Sequence, residues 1–303
     1  MTAPQASVIV PSYNGKDKVI RLLNSLQLQT CLSFEVVIVL DGSTDGSAEA
    51  IKSHDWKFFP LRLIEQENKG RAGARNAGAN TAQTDLLIFF DDDMILDTTC
   101  VEKHIGLHDC KLRCIVMGQV IEPSSETDNE IKKYKNYLNQ CWAKVLEPYK
   151  QNYFPENLPL LSAQNFSVSK SIFNELHGFD STLKDVEDYD LALRARSNNI
   201  PIYYLDTAVA LHADFFSFYK YALRSKDYLK NRRLAARSNP ELYSSDKILT
   251  HKNSLLQKKV YRLLRFPFWL KLLDSFNVFR IILPRRLRYK LYGVIITAFV
   301  HNQ

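Results

Sequence analysis

Three residues invite a chemical question before any other: Asp91, Asp92 and Asp93 stand side by side in LLIFFDDDMIL, residues 86–96. Adjacent carboxylates oppose one another's ionisation unless a cation or a set of donor groups compensates. A second acidic group, Glu187, Asp188 and Asp190, lies in VEDYDLALR, where negative charge also suits the start of a helix. Asp41 in VIVLDGSTDGS and His212 in VALHAD complete the set of side chains able to bind a cation or handle a proton.

These groups need elements to position them. LLIFF is a continuous apolar run of the kind buried on both faces, so the three aspartates emerge together at its carboxyl end. SVIVP (7–11) is a short buried strand, and Val19, Leu22, Leu23 and Leu26 follow at helical spacing. EVVIVL (35–40) is a second strand running into the turn residues DGSTDGS before a helix over 48–53; LRLI (61–64) is a third, followed by a helix across 72–82. This βαβαβ order with apolar strands predicts an α/β fold on a doubly wound, mostly parallel sheet. Such sheets bind ligands beyond the carboxyl ends of their strands, where Asp41, Asp91, Asp92 and Asp93 fall. Further strands are expected over 115–121 and 164–168, and a helix over 129–146. After a turn at Gly178, a helix carries Glu187, Asp188 and Asp190 at its start, and a final strand over 200–205 leaves His212 just beyond it.

At 303 residues and 46% hydrophobic content, the chain can bury a sizeable core in one large domain, alone or with an extension. Its five cysteines form no paired framework, and Cys110 with Cys114 has no second pair at zinc-finger spacing, so structural zinc is excluded. Buried reduced thiols in a cytoplasmic protein fit this usage, and residues 1–6 are too short and polar to be a secretory signal. Charge is concentrated at one end: ten Lys or Arg stand against Asp274 alone over 255–303, a net +9 where the whole chain is +7, leaving −2 on residues 1–254. The same stretch is rich in Phe, Leu, Ile, Trp and Tyr. No internal repeat or low-complexity linker is present.

SVIVPSYN, VIVLDGSTDGS, NKGRAGARNAGAN, FFDDDM, GFDSTL followed by VEDYDLALR, and then His212 occur in the order and approximate spacing of the inverting glycosyltransferases of family 2. Aspartate clusters and DGS turns are individually common; it is the ordered set that resembles this family, over about the first 215 residues. The resemblance implies the A-type nucleotide-sugar fold and transfer of a sugar, with inversion, from a nucleotide-diphosphate donor to an acceptor hydroxyl. The acceptor would be a glycan or a lipid-linked species in cell-envelope polysaccharide or glycoconjugate synthesis. The implied division is a glycosyltransferase domain over 1–215, with a nucleotide-sugar-binding half (1–110) and an acceptor half (111–215), then a helical extension over 216–303.

Residue roles follow from the same resemblance. The departing nucleoside diphosphate gathers negative charge, which an oxygen-bound Mg2+ or Mn2+ neutralises as a Lewis acid. The family's D-x-D pattern makes Asp93 the metal carboxylate and sets Asp91 toward the ribose and metal-bound water, with Asp92 the substitute if the frame slips by one. His212 is either a further metal ligand or a buried, hydrogen-bonded histidine. Pro11, Tyr13 and Asn14 form the loop beneath the base, and Asp41 accepts from a base imide nitrogen, which favours UDP- or dTDP-sugars. Leu40 departs from the pattern, since many relatives carry two acids before the Gly-Ser turn. Asp45 either caps the next helix or touches ligand. Gly70, Gly73 and Gly78 permit close backbone approach, while Arg75 and Asn76 either brace the aspartate loop or contact diphosphate. By the E-D-x-D-L pattern Asp188 is the general base, Glu187 its orienting neighbour, and Asp190 a second choice or a structural acid.

Other classes fit less well. A nucleotidyltransferase would place a glycine- and arginine-rich phosphate loop after the first strand, and PSYNGKDK is a poor match. A processive polysaccharide synthase would carry Q-x-x-R-W and several membrane spans. A degenerate relative serving as a membrane-associated scaffold has only Leu40 in its favour. The basic tail contains no nucleic-acid motif and interleaves its charges with bulky aliphatics, which excludes a nucleic-acid partner. Its apolar run, 291–300, is short of the roughly 20 residues that span a bilayer. The tail therefore reads either as interfacial helices divided at Pro267 and Pro284, with Phe266, Phe268, Trp269, Tyr289 and Tyr292 at headgroup level on the anionic inner leaflet, or as helices whose apolar residues pack back onto the catalytic domain and whose basic residues are solvated. The expected location is cytoplasmic, peripheral on the inner face of the cell membrane.

Overall fold

Apolar runs become strands here because both sheet faces are covered. In the computed structural model, which describes residues 3–110, 113–123, 125, 128–212, 217–250, 254–275 and 279–301, β1 (Ala6–Ser12) is buried along its whole length. It is followed by α1 (Lys16–Gln27), β2 (Phe34–Asp41), α2 (Ser47–Lys52), β3 (Leu61–Gln66), α3 (Gly70–Thr81) and β4 (Leu86–Phe90). Then come β5 (Met94–Leu96), α4 (Cys100–Cys110), β6 (Ile115–Ile121), α5 (Glu130–Leu146), a single 3-10 turn (Glu147–Tyr149), β7 (Asn152–Tyr153), β8 (Asn165–Ser169), α6 (Lys170–Glu175), α7 (Glu187–Ser197) and β9 (Ile202–His212). Strand order is β3-β2-β1-β4-β8-β6-β9-β5, with β7 pairing β9.

The first half of the sheet, β3-β2-β1-β4, is parallel throughout, so Ser12, Asp41 and the end of β4 share one edge. Beyond β4 the sheet is mixed: β8 runs antiparallel to β4 and β6, and β5 and β7 antiparallel to β9, while β6 and β9 are parallel. Alternate side chains feed two cores. Val8, Val10, Ile38, Ile88 and Phe90 pack with α1, α2 and α4, whereas Ile9, Leu87, Phe89 and Phe166 pack with α3, α6 and α7. Helices on both faces are what make the sheet doubly wound. Gly78 lets α3 lie close on the sheet, since a Cβ there would fall 2.5 Å from Ile9 Cγ2.

The last strand is longer than its sequence signal. β9 continues past Leu205 to His212, so the histidine is a strand residue opposite Met94 of β5 and not a loop residue beyond a strand. The extension survives a break in register: Leu205 pairs with Gly118 but Val209 with Gln119, leaving 206–208 outside the ladder. Asn165 bridges that break, its Nδ2 donating to Gln119 O (3.0 Å) and Ala208 O (2.9 Å). With Nδ2 committed, Asn165 Oδ1 accepts from His104 Nε2 (2.8 Å), which leaves His104 Nδ1 to accept from Ser167 Oγ (2.8 Å). His108 Nε2 then donates to Ser167 Oγ (2.9 Å), completing a chain from α4 to the bulge. Burial pushes both His104 and His108 down to about 4, so the chain is built from neutral imidazoles.

Clustering of the fold gives two compact units, Met1–Pro123 with Cys141–Asp214, and Ser124–Gln140 with Phe215–Gln303. The second contains α8 (Phe218–Ser238), α9 (Lys247–Thr250), α10 (Leu255–Leu264), α11 (Pro267–Ser275), α12 (Phe279–Ile282) and α13 (Arg285–Val300). It also takes in 124–140, which the sequence reading counts with the first 215 residues, because Ile131 and Tyr134 of α5 pack against Phe218, Tyr289 and Tyr292. Tyr289 and Tyr292, expected at headgroup level, are 6% and 0% exposed and belong to this helical core. Trp269 packs against the same core, while Phe266 and Phe268 are exposed. A buried Arg232–Asp246 pair (2.5 Å) and Arg288 on Glu130 (2.7 Å) fasten the helices.

Candidate active site

The aspartate loop leaves β4 with its three carboxylates in three environments. Arg75, 1% exposed on α3, donates through Nη2 to Asp91 Oδ1 (2.5 Å) and through Nη1 to Glu187 Oε1 (2.8 Å), with Phe179 5.4 Å from its guanidinium. Burial opposes the Arg75 charge, but the two carboxylates outweigh it and raise its pKa. Asp92 turns back to accept from Ser12 Oγ at 2.5 Å. Burial, offset in part by Ser12 and reinforced by the charges of Asp93 and Asp91, pushes its carboxyl up to about 7. Gly15 makes room for it, since a Cβ there would lie 2.2 Å from Asp92 Oδ2.

Asp93 is different. Its Oδ2 faces His212 Nε2 at 3.4 Å and Lys18 Nζ at 3.6 Å, and its Oδ1 is buried with no hydrogen-bond partner. Burial opposes ionisation, yet His212 and Lys18 hold the Asp93 carboxyl below the usual range. On the other side, Asp93 and Glu122 (3.3 Å from His212 Nδ1) overcome burial and raise the imidazole to about 9. An orphaned oxygen on a carboxylate whose other oxygen faces an imidazole fits Mg2+ or Mn2+, ions that take one or two protein ligands and complete their shell with phosphate and water. No group of three His, Cys, Asp or Glu poised for a metal occurs among the described residues.

The second acidic group opens α7. Glu187 is buried on Arg75, and Asp190 accepts from Arg194 Nε one turn on (2.7 Å). Asp188 is only part-buried, accepting from Tyr189 N (2.7 Å) and, at 3.5 Å, from Ala163 N. Enclosure and the neighbouring Glu187 charge, against Arg75 and these two N–H groups, push Asp188 up to about 6.

At the strand edge of β1 and β2, Asp41 is 3% exposed, and both its hydrogen bonds, from Gln66 Nε2 (2.7 Å) and Lys69 N (2.8 Å), fall on Oδ1. Pro11 lies within β1, and Tyr13 is 58% exposed beyond it. Asn14, at φ 48°, spends its backbone N on Ser43 Oγ (3.0 Å) and its Oδ1 on Thr44 N (2.8 Å), so it shapes the DGSTDGS loop. Asp45 likewise braces, accepting from Lys16 N (2.9 Å) and Ser47 N (3.2 Å). Gly70 begins α3 at φ 75°, a left-handed conformation that favours glycine. Of the two residues left between bracing and diphosphate contact, Arg75 braces the aspartate loop, and Asn76 clamps the turn at Phe179 through both its amide atoms (2.7 and 2.9 Å). Arg71 pairs with Asp185 (2.7 Å).

Ser12, Lys18, Gln66 and Glu122 are site residues that sequence reasoning missed. Each is a polar residue at or just past a strand end or in the first turn of a helix, and only the position of Glu122 just after the strand 115–121 carries a signal. The sheet order, with acids gathered at the carboxyl edge of its parallel half and an acid-led helix tied to them, defines a protein of the A-type nucleotide-sugar glycosyltransferase fold. Residues 7–177 match the model of Glycosyl transferase family 2, and the chain belongs to that family. An uncharacterized glycosyltransferase of Haemophilus influenzae is 33% identical over 195 residues, covering 62% of this chain and 60% of the relative. A validoxylamine A glucosyltransferase of Streptomyces hygroscopicus subsp. jinggangensis is 34% identical over 109 residues, 35% of this chain and 26% of the relative. The chain thus spans less than two thirds of the length of either relative. Among solved structures, the mannosyltransferase PcManGT from Pyrobaculum calidifontis, in complex with GDP-Man and Mn2+, has a TM-score of 0.67 at 17% identity, over 100% of this chain and 88% of its own. S. aureus TarS 1-349 in complex with UDP-GlcNAc gives 0.53 at 17% identity, over 98% and 89%. At such identity the likeness concerns the fold.

Proposed function

We propose that the chain is a metal-dependent inverting glycosyltransferase that moves a sugar from a UDP- or dTDP-sugar to a hydroxyl of a glycan or lipid-linked acceptor in cell-envelope synthesis. It would work on the cytoplasmic side, peripheral on the inner face of the membrane; no described helix is long and apolar enough to cross a bilayer. The observation that carries the reading is the Asp91–Arg75–Glu187 bridge, which fastens the aspartate loop to the helix bearing Asp188. A structural arginine alone would need one carboxylate; this one joins the two acidic groups whose chemistry must act on one substrate.

Asp93 and His212, with Asp91 alongside, would hold Mg2+ or Mn2+, which supplies charge neutralisation for the leaving diphosphate. Asp41 Oδ2 would accept from the imide N–H of uracil or thymine, with Gln66 and the Lys69 amide keeping Oδ1 occupied and the carboxylate oriented. Tyr13, exposed just beyond β1, would offer a flat apolar surface for the base. Asp188, lifted to about 6, is ionised at neutral pH yet more basic than an ordinary aspartate, as a base taking the acceptor hydroxyl proton should be. Glu187 is held away from that proton by Arg75.

The test is a nucleotide-release screen across UDP-, dTDP- and GDP-sugars with and without manganese, using a cell-envelope lipid extract as acceptor. Manganese-dependent release from one or more UDP- or dTDP-sugars is expected. Release from GDP-sugars alone would remove the assignment to Asp41, and no acceptor-dependent release from any donor would remove the proposal.

A further inference from the structure

Among the described helices of the helical unit that are longer than one turn, α10 stands out because none of its ten residues is buried. Helices this short are marginal in water and draw most of their stability from packing one face. α10 has a capping box, Ser254 with Gln257, and at its other edge Tyr261 stacks near His301 and Leu264 touches the helical core. The rest of its apolar surface faces outward: Leu256, Val260 and Leu263, at i, i+4 and i+7, are 72%, 37% and 66% exposed. Phe266 and Phe268 extend that stripe at 52% and 63% exposure. α11 holds them there, because its Leu270 and Leu273 are anchored in the core.

The charges beside this stripe say what covers it. Lys258, Lys259 and Arg262 are exposed on the same helix, and the one acid among residues 255–301, Asp274, is engaged in capping α8 through Phe218 N (2.6 Å) and Tyr219 N (3.0 Å). A surface built to meet another protein is depleted of lysine at its centre, and a basic stripe meeting its own copy would repel itself. A leucine and phenylalanine face bordered by lysine and arginine suits the boundary between lipid headgroups and acyl chains. We infer that α10 and the Phe266–Phe268 corner form a docking surface for an anionic lipid bilayer, with the apolar stripe inserted and the basic residues at headgroup depth. This locates the membrane contact on which the peripheral reading above rests, and takes it away from Tyr289 and Tyr292.

Flotation of the full chain with phosphatidylglycerol-containing and with pure phosphatidylcholine vesicles tests it. Wild type should float with the anionic vesicles and be released by high salt. Lys258→Gln/Lys259→Gln/Arg262→Gln should weaken partitioning on the order of 100-fold, the effect of three basic residues at an anionic surface. Leu256→Glu/Leu263→Glu should abolish flotation, and both variants should keep wild-type thermal midpoints and donor-dependent nucleotide release without vesicles, since every altered residue is exposed. Equal flotation of wild type and the double Glu variant, or flotation indifferent to lipid charge, would overturn the inference. So would a concentration-dependent dimer, seen by light scattering, that the Glu variant dissolves while wild type ignores vesicles. Loss of nucleotide release in wild type with flotation intact would instead count against the proposed reaction and leave the docking surface standing.

Discussion

Asp91 and Asp93 are two residues apart and live in opposite circumstances. Asp91 gives Oδ1 to a buried guanidinium that also holds Glu187, so that side of the loop is fastened before any substrate arrives. Asp93 keeps one buried oxygen unpartnered and meets His212 and Lys18 only at 3.4 and 3.6 Å. Buried polar atoms are normally satisfied, so an exception at a strand end asks for an explanation. Among the acids of this loop, the paired carboxylate positions, and the unpaired oxygen of Asp93 is the one proposed to take a ligand. Asp188, part-buried and loosely held at Ala163 N, belongs with Asp93 although it adjoins Glu187.

The largest effects should come from the unfinished side. Asp188→Asn should lower transfer by about 100- to 10,000-fold, the range for losing a general base, with donor affinity by calorimetry unchanged. Asp93→Asn should remove manganese-assisted nucleotide binding and cost about 100- to 1,000-fold in turnover, comparable to losing one electrostatic stabiliser, with an unchanged thermal midpoint. Metal-assisted binding that survived this substitution would erase the contrast between Asp93 and Asp91. On the finished side, Arg75→Ala leaves two acids without their buried partner and should destabilise the fold by about 3–5 kcal/mol in urea titrations. Arg75→Lys should recover only part, because an ammonium cannot fork between Asp91 and Glu187.

Smaller effects are set by Asp188 ionisation. The acid limb of the kcat/KM profile should fall near pH 6, where wild type loses its base, and be absent from the residual activity of Asp188→Asn. Stability carries the opposite sign. The folded pKa, about 6, lies above the reference 3.8, so the folded state binds the proton more tightly, and stability from this group declines as pH rises between those values. Asp188→Asn should therefore melt higher than wild type above pH 6, with the gap closing below 3.8. A constant difference across that window would mean that Asp188 is not perturbed.

Much of the nucleotide half was legible because its strands are buried on both faces and appear as unbroken apolar runs that end in the acids they deliver. Glu187, Asp188 and Asp190 were readable as a helix start for the same local reason. The partners of Arg75 were not, since GRAGARN shows a charge but not the enclosed space it shares with residues 16 and 112 positions away. β5 and β7, three and two residues long, are too short to show a period. His104, Ser167 and Asn165 meet only through the sheet's mixed order, which no local pattern encodes. Tyr289 and Tyr292 misled because composition does not show which side of a helix faces in. Their spacing with Ile295, Ile296 and Phe299 did hold that information, and it places both rings on the buried stripe of α13.

The break in register between β6 and β9 gives chain length a chemical meaning. His212 reaches Asp93 only while Val209 and Leu211 stay opposite Gln119 and Ile121, with residues 206–208 held out of the ladder. Side chains alternate between the faces of a strand, so a slide by one place would turn His212 to the far face. A deletion at Thr207 that the strand absorbed by sliding would leave every acid and the histidine spelled as before, and the enzyme silent. The number of residues between the two paired segments of β9 is thus as much a part of the site as the residues themselves.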